Sequence, residues 1–463
     1  MHKPTIVAPG WSYEKAMVAS HYGAEEVYVG VPFTSLRMRQ NKILDFTDLK
    51  RTVKDLHKNW SKALLTMNIF PRNPDTQIFE KTVKQIADCG ADAIIFSDPG
   101  TFNIIRKYMP KIPLHLSTQS STMNRAAVKF RKDMGVKRIV FARELSLEEI
   151  KEIKEKVPGI EIEVFVHGAM CMSYSWRCLL GDYMSWRPGN KGECSHACRF
   201  KYKVWLEEER RPGKLFQLEW DEDGSHILSS KDLCAIDKLK EILPYVDAIK
   251  IEGRSKSEFY VGAIVKAYKH VRDAILAKKK IDPKVANLVN VIPHREYREW
   301  FLFHKLSEFP ENESSPHSAA GTSFSKGGGD WSPSLLKRET KGDSFKWVWS
   351  TTLNSAGPLF NRNYFGMFSD EFIEKNKKKY YHIEPKEVIT PGMKIKYLSP
   401  NEMGELTILD ILAPNHQSSS EWNLLKSSEK IISYHQIEKV HCNSGAVYIL
   451  TDKKLEGREI LYE

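Results

Sequence analysis

Eight short apolar runs, separated by segments of helical spacing, fill the first 255 residues of this 463-residue chain, and that alternation narrows the possible folds sharply. The runs are TIVAPG from Thr5, EEVYVGV from Glu25, ALLTMNIF from Ala63, ADAIIFSD from Ala91, PLHLSTQ from Pro113, KRIVFAREL from Lys137, IEIEVFVHG from Ile160 and VDAIKIEGR from Val246. Between them apolar residues recur at three- and four-residue steps, as in Phe79-Val83-Ile86-Ala87 and Leu147-Ile150-Ile153. Strand–helix alternation of this kind builds βαβ units and a parallel sheet. An open doubly wound sheet would carry a glycine-rich phosphate loop after its first strand, and Ala8-Pro9-Gly10 does not supply one. The expectation is an α/β protein with a TIM-like (β/α)8 barrel over residues 1–280.

In such a barrel the C-terminal ends of the strands form the active face. Polar residues gather there: Ser97-Asp98, His115 with Thr118-Gln119, Arg143-Glu144, His167, and Lys250 with Glu252 and Arg254. Any one of these is more often a cap or an ion pair than a functional group. Their recurrence at one end of several strands singles them out as candidates.

Five of the seven cysteines, Cys171, Cys178, Cys194, Cys198 and Cys234, lie between the seventh and eighth runs, in a segment (170–234) that interrupts the alternation. It is therefore read as an enlarged loop on the active face. The spacing C-x6-C-x15-C-x3-C lacks the C-x2-C knuckles of structural zinc sites. Thiolates spread irregularly over a loop suit an iron–sulfur cluster, which takes four Cys ligands from a folded pocket. Cys171, Cys178 and Cys194 are the leading ligands, and Cys198 and Cys234 compete for the fourth place. Cys89 and Cys442 lie apart.

After a helix around Val261–Ala277, residues 281–345 read as a connecting helix followed by a flexible Ser/Gly/Pro-rich insertion at 307–344. Residues 346–384 read as a connecting segment. Short strands separated by turn residues then indicate a small β-barrel at 385–463. No run of 18 apolar residues occurs, and the N-terminus lacks the apolar core of a signal peptide, so a cytoplasmic protein without a membrane span is expected. The formal net charge of +11 favours a polyanionic partner such as RNA.

With those residues in place, EVFVHGAMC, the RCLL after it, GECSHACRFKY, SSKDLC and IKIEGRSKSEFY closely resemble the collagenase-like peptidase family, peptidase family U-32. HLSTQ with Asn124 and the RELSLEEI segment agree. The resemblance implies a [4Fe–4S] cluster held by cysteines of the loop, and hydroxylation that needs no molecular oxygen. Length and the terminal β-barrel look most like the tRNA-modifying group, which forms 5-hydroxyuridine at the wobble position with prephenate as co-substrate. On that basis Arg143, Lys250, Arg254 and His167 are expected to bind substrate or the dicarboxylate donor. His115, Gln119, Glu252 and Arg254 are expected to take part in catalysis. The rival readings are a peptidase using Cys171 beside His167, an rRNA or ubiquinone hydroxylation factor, and a non-catalytic RNA-binding protein. The chain carries neither H-E-x-x-H nor G-x-S-x-G.

Overall fold

The computed structural model describes residues 2–303 and 364–462, apart from stretches at 200–203, 208–214, 219–230, 376–377, 415–433, 437–446 and 456–458 and isolated positions elsewhere. The expected insertion at 307–344 and Cys442 lie outside the described residues. Strands and helices alternate as β1 (Thr5–Gly10), α1 (Tyr13–His21), β2 (Glu26–Gly30), α2 (Phe46–Lys58), β3 (Lys62–Met67), α3 (Asn73–Ile86), β4 (Ala93–Phe96) and α4 (Pro99–Tyr108). They continue with β5 (Leu114–Leu116), α5 (Arg125–Asp133), β6 (Arg138–Val140), α6 (Leu147–Lys156) and β7 (Glu161–Ala169). An insertion follows, with α7 (Leu180–Ser185), the antiparallel pair β8 (Val204–Glu207) and β9 (Leu215–Leu218), and β10 (Asp232–Cys234). Short α8 (Leu239–Ile242) leads into the eighth barrel strand, β11 (Ala248–Ile251), and the long helix α9 (Glu258–Leu276).

All eight apolar runs become barrel strands. The barrel closes because β11 pairs in parallel with both β1 (Thr5↔Ala248) and β7 (Glu163↔Ala248). Helix starts are set locally: Ser12, Asp45, Asp98, Asn124, Ser146 and Ser257 each accept a backbone N–H of the first turn. Asp98, a candidate on sequence grounds, is thus a helix cap. Along β7 the side chains alternate: Ile162, Val164 and Val166 pack outward in the barrel–helix layer, while Glu163 and Phe165 lie on the opposite face. Val7, Trp11, Tyr28, Leu64, Ala93, Ile95 and Ala248 form a separate apolar cluster of their own.

After α10 (Pro283–Ala286) and β12 (Tyr297–Arg298), a second closed barrel is built from β13 (Tyr364–Lys375), β14 (Lys378–Ile383), β15 (Lys394–Leu398), β16 (Met403–Pro414), β18 (Val447–Thr451) and β19 (Ile460–Tyr462), with β17 (Tyr434–Gln436) on its edge. Its strands are antiparallel, and the 12-residue β16 closes the ring by pairing first with β15 and then with β18. The expected start at residue 385 is corrected: β13 and β14, read as a connecting segment, are barrel strands. In the sequence, the charged run EKNKKK from Glu374 masks the alternation of YFGMFSDEFIEK and KKYYHI.

The two barrels share one core. Leu398, Ile460 and Tyr462 pack with α1 and α9, and the Tyr462 ring stacks on Phe259 at 5.0 Å. Tyr22 donates from its hydroxyl to the Leu398 carbonyl, and the Lys266 ammonium donates to the carbonyls of Ser399 and Glu402. The second barrel is therefore a docked flank of the first. Phe259→Ala should cost about 3–5 kcal/mol, as expected for a buried aromatic, and lower the thermal midpoint. A chain ending before residue 364 should bind the hydrophobic dye ANS through the bared α1/α9 face; thermal denaturation and dye titration measure both.

Candidate active site

The polar residues on the barrel strands separate into two levels. On the lower level Glu26 (β2), Arg138 (β6), Glu163 (β7) and Lys250 (β11) form one buried ion network. Lys250 Nζ lies 2.6 Å from Glu163 Oε1, and Arg138 Nη1 lies 3.2 Å from Glu163 Oε2. Arg138 also binds both oxygens of Glu26, and its Nε donates to Glu161 at 2.8 Å. Burial opposes ionisation of Glu163, but the Lys250 and Arg138 charges outweigh it and pull the carboxyl down to about 2. His115 belongs to this level too. Burial first, then the nearby Arg138 charge, lowers its pKa to about 3, so it is neutral at pH 7. His115 and Lys250 are thus set inside the barrel rather than at its rim, and the Lys250 charge is already compensated.

The upper level is the mouth. Arg143 is buried beyond the end of β6, with its guanidinium 3.9 Å above the Phe165 ring. Its Nη1 donates to the Ala169 carbonyl, while Nε and Nη2 find no hydrogen-bond partner. Burial lowers its pKa, against the opposing pull of the nearby Glu252 and Glu144 carboxylates. Glu252 and Arg254 are likewise buried; Arg254 Nε lies 3.7 Å from Glu252 Oε1, and the Arg254 guanidinium lies over Trp11. Two glycines allow this convergence. Gly168 has φ +115°, and a Cβ there would sit 2.7 Å from the Glu252 carbonyl oxygen and Cβ. A Cβ at Gly253 would meet the Tyr260 ring at 2.9 Å.

Arg254 and Lys250 line a small cavity of ≈ 20 Å³ with Tyr28, Asn68, Ser117 and Thr118, about enough for a water molecule. Gln119, just above Thr118, accepts from Ser97 Oγ at 3.3 Å through Oε1, while its Nε2 and the Thr118 hydroxyl have no partner. Arg143, Glu252 and Arg254 are thus neighbours at the mouth, and Gln119 lies just past the end of β5. His167 does not join them. It is buried against the rings of Tyr260, Tyr268 and Tyr297, and burial holds it neutral with a pKa of about 3. The register shift between β11 and β7, where Lys250 pairs with Phe165 and Ile251 with His167, makes Val166 an extra residue on β7 and accompanies this outward turn.

The cysteine loop covers this face. It is anchored by Arg177, whose Nε donates to the Gln119 carbonyl at 3.1 Å, by Phe70 N to Asn190 O at 3.3 Å, and by the Lys191–Asp75 ion pair at 2.9 Å. Cys171, Cys178, Cys194 and Cys198 are half-buried thiols on it, and no disulfide joins the described cysteines. Cys178 Sγ accepts the Leu180 N–H at 3.3 Å, and Gly189 packs between Cys178 and Cys194. Cys234 sits opposite His167 on β10, 3.9 Å from the Tyr268 hydroxyl, and burial pushes its thiol up to about 11. The donor chemistry suits a soft metal. However, among the described residues no three His, Cys, Asp or Glu side chains are arranged to hold a metal ion.

Sequence reasoning missed Glu26, Arg138 and Glu163. The available signal was parity: in IEIEVFVHG the glutamates fall on the face opposite Ile162 and Val164, which in a closed barrel faces inward.

A (β/α)8 barrel with buried, unsatisfied polar groups at the strand C-termini is built to bind a ligand there. The chain belongs to peptidase family U32, whose family model matches residues 11–310. It is 36% identical over 340 residues to tRNA hydroxylation protein P of Escherichia coli, covering 65% of this chain and 75% of that protein. The counterpart of the same name in Haemophilus influenzae is 35% identical over 341 residues, covering 65% and 74%. The 23S rRNA 5-hydroxycytidine C2501 synthase of Escherichia coli is 31% identical over 279 residues, covering 60% and 40%. No helix among the described residues is long and apolar enough to cross a membrane.

The lower level yields a stability prediction. Glu163 has a folded-state pKa of about 2 against 4.5 unfolded, so its contribution is complete above pH 4.5 and is lost as pH falls toward 2. Glu163→Gln should destabilise by about 3–5 kcal/mol at pH 7, because Arg138 and Lys250 lose their shared partner. Its melting point should also fall less steeply than the wild type's between pH 4.5 and 2.5. Thermal melts across that range check both.

Proposed function

We propose that this protein is a tRNA hydroxylase that forms 5-hydroxyuridine at the wobble position with prephenate as the dicarboxylate donor. The observation that carries the reading is Arg143, buried at the barrel mouth with two nitrogens, Nε and Nη2, lacking a partner, beside Arg254. Guanidinium N–H pairs match carboxylate oxygens bidentately, and a buried donor left unsatisfied costs free energy that an anionic ligand would recover. The relatives named for tRNA hydroxylation, and the one named for synthesis of a hydroxylated cytidine in rRNA, support an RNA substrate. The net charge of +11 supports a polyanionic partner.

In this reading Arg143 and Arg254 hold the donor's carboxylates over the mouth. Gln119 presents Nε2 and Thr118 its hydroxyl for the polar edge of the base. Glu252 orients Arg254 and is the carboxylate placed to move a proton at this level. Phe165 and Trp11 support the guanidinium faces and exclude water. Cys171, Cys178 and Cys194, with Cys198 or Cys234, would hold a [4Fe–4S] cluster, which when bound supplies electron transfer. Binding such a metal centre draws scattered thiolates together and couples loop order to loading.

Nucleoside mass spectrometry of tRNA from a deletion strain should show loss of 5-hydroxyuridine and its derivatives; unchanged levels in a strain without a redundant enzyme refute the proposal. Arg143→Ala should raise KM for the dicarboxylate by tenfold to a hundredfold, the scale of a charged hydrogen-bonded contact, while leaving tRNA binding within twofold. Anaerobically purified protein should carry about four irons per chain. Cys171→Ala, Cys178→Ala and Cys194→Ala should each lose them, whereas Cys89→Ala, at a buried site apart from the loop, should not.

A further inference from the structure

A second cavity on the same face is used by none of the groups above. It lies between the loop after β2, the start of α3 and the cysteine loop, has a volume of ≈ 390 Å³, and is bounded by Phe33, Thr34, Ile69, Ile78, Lys191 and Glu193. That volume falls in the range of about 300–1,000 Å³ found for small-molecule sites. It adjoins the candidate active site directly, because Ile69 also packs against Cys194.

Three independent features mark it as built for a ligand. Phe33 has φ +66°, a left-handed conformation that costs a bulky residue free energy, and its large ring is 57% exposed. The Val31–Thr34 turn holds this conformation, with Thr34 N–H bonded to the Val31 carbonyl and Ile69 N–H to the Thr34 carbonyl, and it leaves an aromatic face open at the cavity rim. Thr34, next in the chain, is 1% exposed and lines the cavity, yet its Oγ1 has no hydrogen-bond partner. The charged residues at the rim are Lys191, already paired with Asp75 at 2.9 Å, and Glu193. Among the described residues these three sum to one negative charge, which favours a neutral occupant over a carboxylate donor.

An open aromatic face, one hydroxyl to read a polar edge, and no net positive charge among the described lining residues together match a neutral flat heterocycle. We infer that this cavity is a nucleobase subsite. It stacks on Phe33 a base that flanks the modified nucleotide and hydrogen-bonds its edge through Thr34 Oγ1. The inference deepens the RNA hydroxylase reading and rests on it. Base–aromatic stacking gives sequence-tolerant grip, so the subsite would hold the RNA strand in register while the target base enters the barrel mouth.

The test uses the full-length protein and an anticodon stem-loop RNA, titrated by fluorescence anisotropy. Phe33→Gly removes the ring at a position where glycine relieves the backbone strain. It should therefore melt no lower than the wild type while binding the RNA about tenfold more weakly. Phe33→Tyr should bind like the wild type. Thr34→Val, which removes only the hydroxyl, should weaken binding about threefold. The slope of affinity against salt should stay unchanged in all three, since no phosphate contact is lost. Wild-type RNA binding with unchanged affinity in Phe33→Gly overturns the subsite alone. A raised KM for the dicarboxylate with RNA affinity intact assigns the cavity to the donor and also overturns it. Failure of the wild-type protein to bind RNA overturns the hydroxylase reading and the subsite with it.

Discussion

The buried ion network inside the (β/α)8 barrel is the constraint on which the rest depends. Arg138 on β6 reaches Glu26 on β2 and Glu163 on β7, and Glu163 in turn holds Lys250 on β11. These four residues carry two positive and two negative charges, so the interior is neutral overall. Buried ion pairs add little net stability over apolar packing. Their geometry is demanding, however, and this network ties four strands drawn from across the barrel. Removing Glu163 strands the Lys250 charge at low dielectric, because Glu163 is the carboxylate that Lys250 meets.

The mouth differs from the floor in exactly that accounting of partners. Below, each cation meets a carboxylate at hydrogen-bond distance. Above, Arg143 meets a carbonyl and an aromatic face, and two of its nitrogens are left over. Glycines at 168 and 253 let the ends of β7 and β11 close in around Glu252 and Arg254. The contrast separates structural from functional cations in a way that residue type alone does not. Lys250 and Arg143 looked equivalent as donors for a carboxylate; their surroundings make only the second available.

Two further elements frame this face. The cysteine loop is pinned over it by Arg177, Asn190 and Lys191, which brings its thiols and the Phe33 cavity side by side. The second barrel packs on α1 and α9 through a shared apolar core, against the helix that follows β11.

Much of this was legible in the residues themselves. Period-two apolar runs and capped helical segments dictate local structure through steric and hydrogen-bonding rules that act over a few residues, so all eight barrel strands could be read from their order. The placement of the cysteine loop after the seventh strand was legible for the same reason, as was the gathering of Arg143, Gln119, Glu252 and Arg254 at strand ends. Which candidates face a ligand was not. His167 turned outward to three tyrosines through a one-residue register shift, His115 and Lys250 sank to the level of Glu163, and Phe33 was set in the left-handed third position of a turn that Pro32 alone marks in the sequence. Those outcomes depend on partners more than 80 residues away in the case of Lys250 and Glu163. The sequence by itself determined the order of elements and the inventory of charges. Only the tertiary structure decided which charges were neutralised, because pairing in a closed barrel is set by distance across its interior and not by distance along the chain.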